Sequence, residues 1–281
     1  MDTFVGVRAF KTGVWTLALY TIVLATLAVA RGSEKTPGFG QRVLLVALSG
    51  FLVGFFLDSL VRAVHGSAWK RFYILAILIF ALACVSNAIE IVLYLPAVAV
   101  AGSIAGGIIQ TVILAVVLVR VTQPGPNHEA PRSLGFSHGR GVAAILFLAV
   151  AWIPVYFLFV TLDTPVVHWL EHGNADVFAH PPAMTMVGLE LVRGFLHAGI
   201  LIGIASLARE SWRRTWFWGS CAIAVLNGWL PILPVSTLPL GIRIANGVEI
   251  TLSSVMFAGI AAGLFALLAF RRHAVVHPVT T

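Results

Sequence analysis

The sequence predicts an all-α, polytopic membrane helical bundle of about eight transmembrane helices, with both termini cytoplasmic. Three observations predict it. Apolar runs recur at the ~20-residue length that a bilayer-crossing helix needs. Only 10% of residues are charged and 59% are hydrophobic, whereas about a quarter of a soluble domain is charged. Lys and Arg gather in alternate loops, the distribution that marks loops kept in the cytoplasm. The net charge of +7 is thus a topology signal and not a nucleic-acid one.

The spans fall near residues 12–30, 42–64, 72–94, 97–121, 141–162, 184–207, 216–237 and 244–270. The first is preceded by Arg8 and Lys11 and ends in Ala28-Val29-Ala30. It reads as an uncleaved helix, with a cleaved signal peptide as the alternative. Arg62, Lys70 and Arg71 flank the loop after the second span. Leu95-Pro96 leaves only a tight hairpin between the third and fourth, since Pro starts a helix but breaks its interior. Arg120, Arg132 and Arg140 flank the Pro- and Gly-rich segment 122–140, a cytoplasmic linker that divides spans one to four (1–121) from spans five to eight (141–281) in a single membrane domain. Arg209, Arg213 and Arg214 follow the sixth span, and Arg271 and Arg272 the last. The opposite side carries Arg31, Lys35, Arg42 and Arg243, and the outer loop 163–183 has acids but no Lys or Arg. In the seventh span Asn227-Gly228, Pro231 and Pro234 predict an interruption, which lipid tolerates only where protein or water surrounds it.

Gly50-Phe51-Leu52 precedes Trp69-Lys70-Arg71 much as Gly194-Phe195-Leu196 precedes Trp212-Arg213-Arg214. A duplicated four-helix unit, a parallel 4+4 repeat, would explain this. So would the general preference of Trp, Lys and Arg for membrane boundaries. Gly50/Gly54, Gly102/Gly106, Gly199/Gly203 and Gly259/Gly263 have the spacing that lets helix backbones approach closely, and the second pair, with Ala99, Ser103 and Gly107 beside it, predicts tight packing of the fourth span. Cys84 and Cys221 fall in apolar runs and read as buried thiols.

Charges inside spans are expensive, roughly 2.5–3.5 kcal/mol each on insertion scales, so they face the bundle interior, a cavity or one another. Asp58 and Arg62 are four apart and form a structural pair. Glu190, Arg193 and His197 line one stripe of the sixth span. Arg243, Asn246 and Glu249 line one stripe of the eighth, and Asn87 and Glu90 repeat the spacing in the third. The expectation is one polar pocket near the outer leaflet. Glu90, Glu190, Arg193, His197 and Glu249 would be its reactive groups, and Asn87, Asn246 and Arg243 would bind the substrate. His197 could change charge near neutral pH. The alternative is a set of locally neutralised ion pairs, Glu190 with Arg193 and Glu249 with Arg243.

In the outer loop, Thr164 and Pro165 predict a short helix that begins there and is stopped by Gly173. It would place His168 and His172 on one face, with Asp176 and His180 continuing the four-residue spacing. Such a set suits Zn, Cu or non-haem Fe, while a solvated His pair is the plainer reading. The paired Glu-Glu and later His-x-x-x-Asn of CAAX-type intramembrane proteases are absent, as are spaced deep His pairs for a b-type haem and a mid-span Lys for retinal. Three functions stay open. One is a proton- or ion-coupled transporter of a polar solute. Another is an enzyme acting on a lipid-linked or apolar substrate at the outer leaflet. The third is a non-catalytic subunit or assembly factor whose partners are other membrane subunits or a second copy. The expected setting is a bacterial or archaeal cytoplasmic membrane.

Overall fold

The computed structural model describes residues 3–35, 38–94, 100–122, 138–170, 182–208, 211–234 and 239–276. Every described regular element is helical. α1 spans Thr3–Ala30, α2 Phe39–Ala63, and α3 Ala68–Ile79, which runs through a π-helical turn, π1 (Phe80–Val85), into α4 (Ser86–Tyr94). α5 is Val100–Val121, α6 His138–Leu170 and α7 Ala183–Leu207. α8 (Trp212–Ile223) continues through π2 (Ala224–Trp229) into α9 (Leu230–Ile232), and α10 is Leu240–Val276.

Among the described residues, 7 helices are long and apolar enough to cross a membrane. The expected span 216–237 is not one of them. It is the α8–π2–α9 run, whose Trp, Gly, Ser, Asn and Pro residues make it less apolar than the seven. The interruption expected at Asn227-Gly228 is π2 itself; nothing in the sequence pointed to π1. The hairpin around Pro96 lies outside the described residues.

Local chemistry sets several boundaries. Gly66 takes φ +121, which a side chain would resist. Ser67 then caps α3 by accepting a hydrogen bond from the Lys70 amide. The helix predicted to begin at Thr164-Pro165 does not begin there: α6 runs unbroken through both Pro154 and Pro165. Thr161 and Thr164 turn their hydroxyls back onto the carbonyls of Phe157 and Val160. Thr164 therefore caps no new helix.

The packing repeats along the chain. α1 packs on α2 and α5, and α3 and π1 pack on α5; likewise α6 packs on α7 and α10, and α8 and π2 pack on α10. Across the middle, α2 meets π2 and α9, α7 meets π1 and α4, and π1 meets π2. α2 and α7 each have 25 residues, α3 and α8 each 12, and π1 and π2 each 6. Each later element starts 144 residues after the earlier one: Phe39 and Ala183, Ala68 and Trp212, Phe80 and Ala224.

Of the four glycine pairs, only Gly50/Gly54 is used at both positions in a close helix contact. A Cβ on Gly50 would lie 2.8 Å from Tyr20, and one on Gly54 2.5 Å from the Thr16 hydroxyl, both on α1. Gly106, Gly199, Gly203 and Gly263 face open space. The tight packing expected of the fourth span is made by Gly107, against Cys84. At the matching register Gly194 abuts the Ala149 backbone of α6. Asp58 is buried and accepts from Arg62, as expected, and also from Arg8 and Thr12 of α1. Both cysteines are free, Cys84 buried and Cys221 half-buried.

Candidate functional site

α7 places Glu190, Arg193 and His197 on one buried stripe, at 0%, 1% and 0% exposure. Its opposite side exposes Val192, Phe195 and Gly199. The helix sits close to α6 because Gly194 has no side chain: a Cβ there would fall 2.5 Å from the Ala149 carbonyl oxygen. One antiparallel turn along, that approach brings Trp152 beside Glu190. The indole Nε1 of Trp152 donates to Glu190 Oε2 at 2.8 Å. Arg193 Nη1 donates to Oε1 at 2.9 Å and to Oε2 at 3.1 Å. The carboxylate thus accepts from two side chains, one on its own helix and one on α6.

Arg193 also reaches across the bundle. Its Nη2 donates to the Ser86 backbone carbonyl at 3.3 Å, at the exit of π1. Its guanidinium carbon lies 5.9 Å from the centre of the Tyr156 ring. His197 meets Trp152 edge to face, with ring centroids 4.5 Å apart, and lies near Phe257 of α10. Neither ring nitrogen of His197 has a hydrogen-bond partner among the described residues. Buried polar atoms nearly always have one, so these two nitrogens mark His197 out on the stripe. The Ser86 hydroxyl and Asn227 Oδ1 are in the same condition.

Phe195 is the middle residue of α7. At 1.5 Å per residue, Arg193 and His197 lie about 3 Å to either side of that midpoint and Glu190 about 7.5 Å toward the N-terminal end of α7.

The other expected members fall as follows. Arg243 is buried, and its Nη1 donates to the Leu233 carbonyl at 2.6 Å, which ties the start of α10 to the end of α9. Asn87, Asn246 and Glu249 are half-buried. Glu90 lies in α4, but its side chain is outside the described residues, as is that of His168. His172, Asp176 and His180 lie outside them altogether. Among the described residues, no group of three His, Cys, Asp or Glu could hold a metal ion.

Trp152, Tyr156, Phe257 and Ser86 were not singled out by the sequence. Trp152 carried a usable signal: a Trp in mid-span, away from the boundary belts, must find an acceptor for its N–H. Neither family models nor curated proteins nor solved structures match this chain, so its function has to be read from this chemistry.

Proposed function

We propose that this multi-pass membrane protein is a proton- or ion-coupled transporter or permease for a polar solute, with Glu190, Arg193 and His197 at its centre. One observation carries the reading. Arg193 holds Glu190 of its own four-helix unit and, with the same guanidinium, the Ser86 carbonyl of the other. A movement of one unit against the other must break or remake that contact. A charge at such a boundary is suited to couple binding to motion.

The architecture supports this. We read the 144-residue spacing of α2–α4 against α7–α9 and the matched packing as a tandem duplication of a four-helix unit, α1–α5 and α6–α10, related as parallel repeats. Transporters of that type bind solutes between repeats, where helices are interrupted, and here π1 and π2 meet between the units. π turns inside helices recur at functional sites. The Lys and Arg distribution supports cytoplasmic termini. The outer-loop histidines remain a candidate Zn or Cu site, and Glu90 and Glu249 candidate members of the same pocket. The expected setting remains a bacterial or archaeal cytoplasmic membrane.

The second reading is a static one, a non-catalytic subunit whose buried pair only holds the bundle together. The three hydrogen bonds accepted by Glu190 favour it. One experiment separates the two. The protein is reconstituted in proteoliposomes with an internal pH dye, and solutes of different charge are added. The transporter reading expects solute-dependent proton flux from the wild type. The variant Glu190→Gln/Arg193→Met should fold and show none. A wild type whose proton flux no added solute alters would reject coupled transport. A variant that folds and transports normally would leave the pair as a staple.

A further inference from the structure

A second polar cluster lies at the end of the first unit where α1 and α3 begin and α2 and α5 end. Arg71, near the start of α3, is 4% exposed. Its Nη2 donates to the Thr122 carbonyl at 2.7 Å and to the Thr122 hydroxyl at 2.9 Å, and its Nε has no partner among the described residues. Both partners are neutral oxygens. Among the described residues no carboxylate lies within ion-pair distance of it, and the charge acting on it is another cation, Arg62. A buried guanidinium without a counter-charge is the costly arrangement.

Its surroundings add more cations. Arg62 and Arg8 share the one carboxylate of the cluster, Asp58, each through Nε. Arg8 is half exposed, and its two terminal nitrogens have no partner among the described residues. Lys70 precedes Arg71, Arg120 lies two residues before Thr122, and both are exposed. Arg8 and Arg62 thus flank Asp58, and Lys70, Arg71 and Arg120 add three more cations at the same end of the first unit, where α3 begins and α5 ends. Trp69 and Tyr73, 70% and 59% exposed, stand beside them, as aromatic residues do at headgroup depth. The position equivalent to Arg71 in the second unit, 144 residues on, is Thr215, so the buried cation belongs to the first unit alone.

We propose that this end of the first unit is a binding site for a phosphate-bearing anion, an acidic phospholipid headgroup or a soluble phosphate. Arg71 supplies the buried charge, and Arg8, Lys70 and Arg120 supply outward donors. Clustered cations immediately beside membrane helices recognise such headgroups, and each contributes about a fivefold increase in affinity. The inference does not depend on the transport reading.

The test is native mass spectrometry of the full chain in detergent, with phosphatidylglycerol, phosphatidylcholine or inorganic phosphate added separately. Phosphatidylglycerol should be retained at least tenfold better than phosphatidylcholine. Lys70→Gln/Arg120→Gln, both exposed, should lower that retention by roughly 25-fold, while the control Arg213→Gln leaves it unchanged. Arg71→Met should abolish the thermal stabilisation that phosphatidylglycerol gives; if it fails to fold, the exposed double variant decides. Displacement of the lipid by millimolar phosphate, or protection by phosphate alone, identifies the soluble source; lipid binding that phosphate does not disturb identifies the headgroup. Equal retention of the two lipids with no phosphate effect overturns the proposal, as does an equal loss on Arg213→Gln.

Discussion

The substitution Glu190→Gln removes the charge that Arg193 meets at 2.9 and 3.1 Å, at a site where both side chains are 1% exposed or less. The amide oxygen that replaces the carboxylate can still accept from Trp152, so packing and that hydrogen bond are retained and the change is electrostatic. Hydrogen bonds between neutral groups in membrane helices average only about 0.6 kcal/mol, because the lipid-embedded unfolded state finds partners too. A buried ion pair behaves differently. Removing one member leaves its partner's charge in a poorly solvating interior, at about 3–5 kcal/mol, whereas removing both is often neutral or stabilising. Glu190→Gln and Arg193→Met should therefore each destabilise by about 3–5 kcal/mol, and the double variant should return to within about 1 kcal/mol of wild type. On those figures the coupling energy of that cycle should be at least about 5 kcal/mol. Unfolding in mixed SDS and nonionic micelles, followed by circular dichroism, measures all four proteins. A coupling below about 0.5 kcal/mol would refute the reasoning, because independent sites show no more than that.

Other outcomes follow from the same geometry. Gly194→Ala would push a Cβ against Ala149 backbone atoms at 2.5 and 2.9 Å, so melting should show a loss of about 1–3 kcal/mol. Gly199→Ala, facing open space, should stay within about 0.5 kcal/mol. His197→Phe has no hydrogen bond to lose and keeps the ring contacts with Trp152 and Phe257. It should remain folded with stability within about 1.5 kcal/mol of wild type yet lose coupled proton flux; full flux would exclude His197 from the mechanism. Asp58→Asn should cost about 1–3 kcal/mol, less than Glu190→Gln, because Arg8 is 47% exposed and Arg62 18%. Added salt should shrink that loss and leave the Glu190 one unchanged.

The helices and the central stripe were legible because they depend on periodicity and cost. A run of apolar residues has one stable form in lipid, and three charged or titratable residues at i, i+3 and i+7 have one tolerable direction. What was not legible depends on neighbours. Glycine spacing says that a face is smooth but not what it meets, so Gly50/Gly54 and Gly199/Gly203 look alike in sequence and differ in the fold. Thr164-Pro165 looks like a helix start because Pro suits a first turn, yet α6 runs through it and the Thr164 hydroxyl bonds back to the Val160 carbonyl instead of capping. π1 left no trace in Phe80–Val85, and with it the Ser86 carbonyl that receives Arg193 was hidden.

The two sets of helices match in element length and spacing from α2 to π1 and from α7 to π2, but not in chemistry. At the constant spacing, Glu190, Arg193 and His197 correspond to Val46, Ser49 and Val53 of α2, and Arg71 corresponds to Thr215 of α8. If the units descend from one ancestor, each has placed its buried charge where the other is apolar or neutral. Duplication makes this accessible, because one copy can preserve the packing while the other accepts a residue that lipid penalises. The charges need not then serve the same step. The Glu190–Arg193 pair lies between the units, where motion would act on it. Arg71 lies at one end, where a headgroup or phosphate could hold the first unit still while the second moves. In that arrangement, phosphatidylglycerol should change the rate of solute flux in the wild type and have no effect on the rate in Arg71→Met. An equal lipid dependence in both proteins would separate the two clusters functionally.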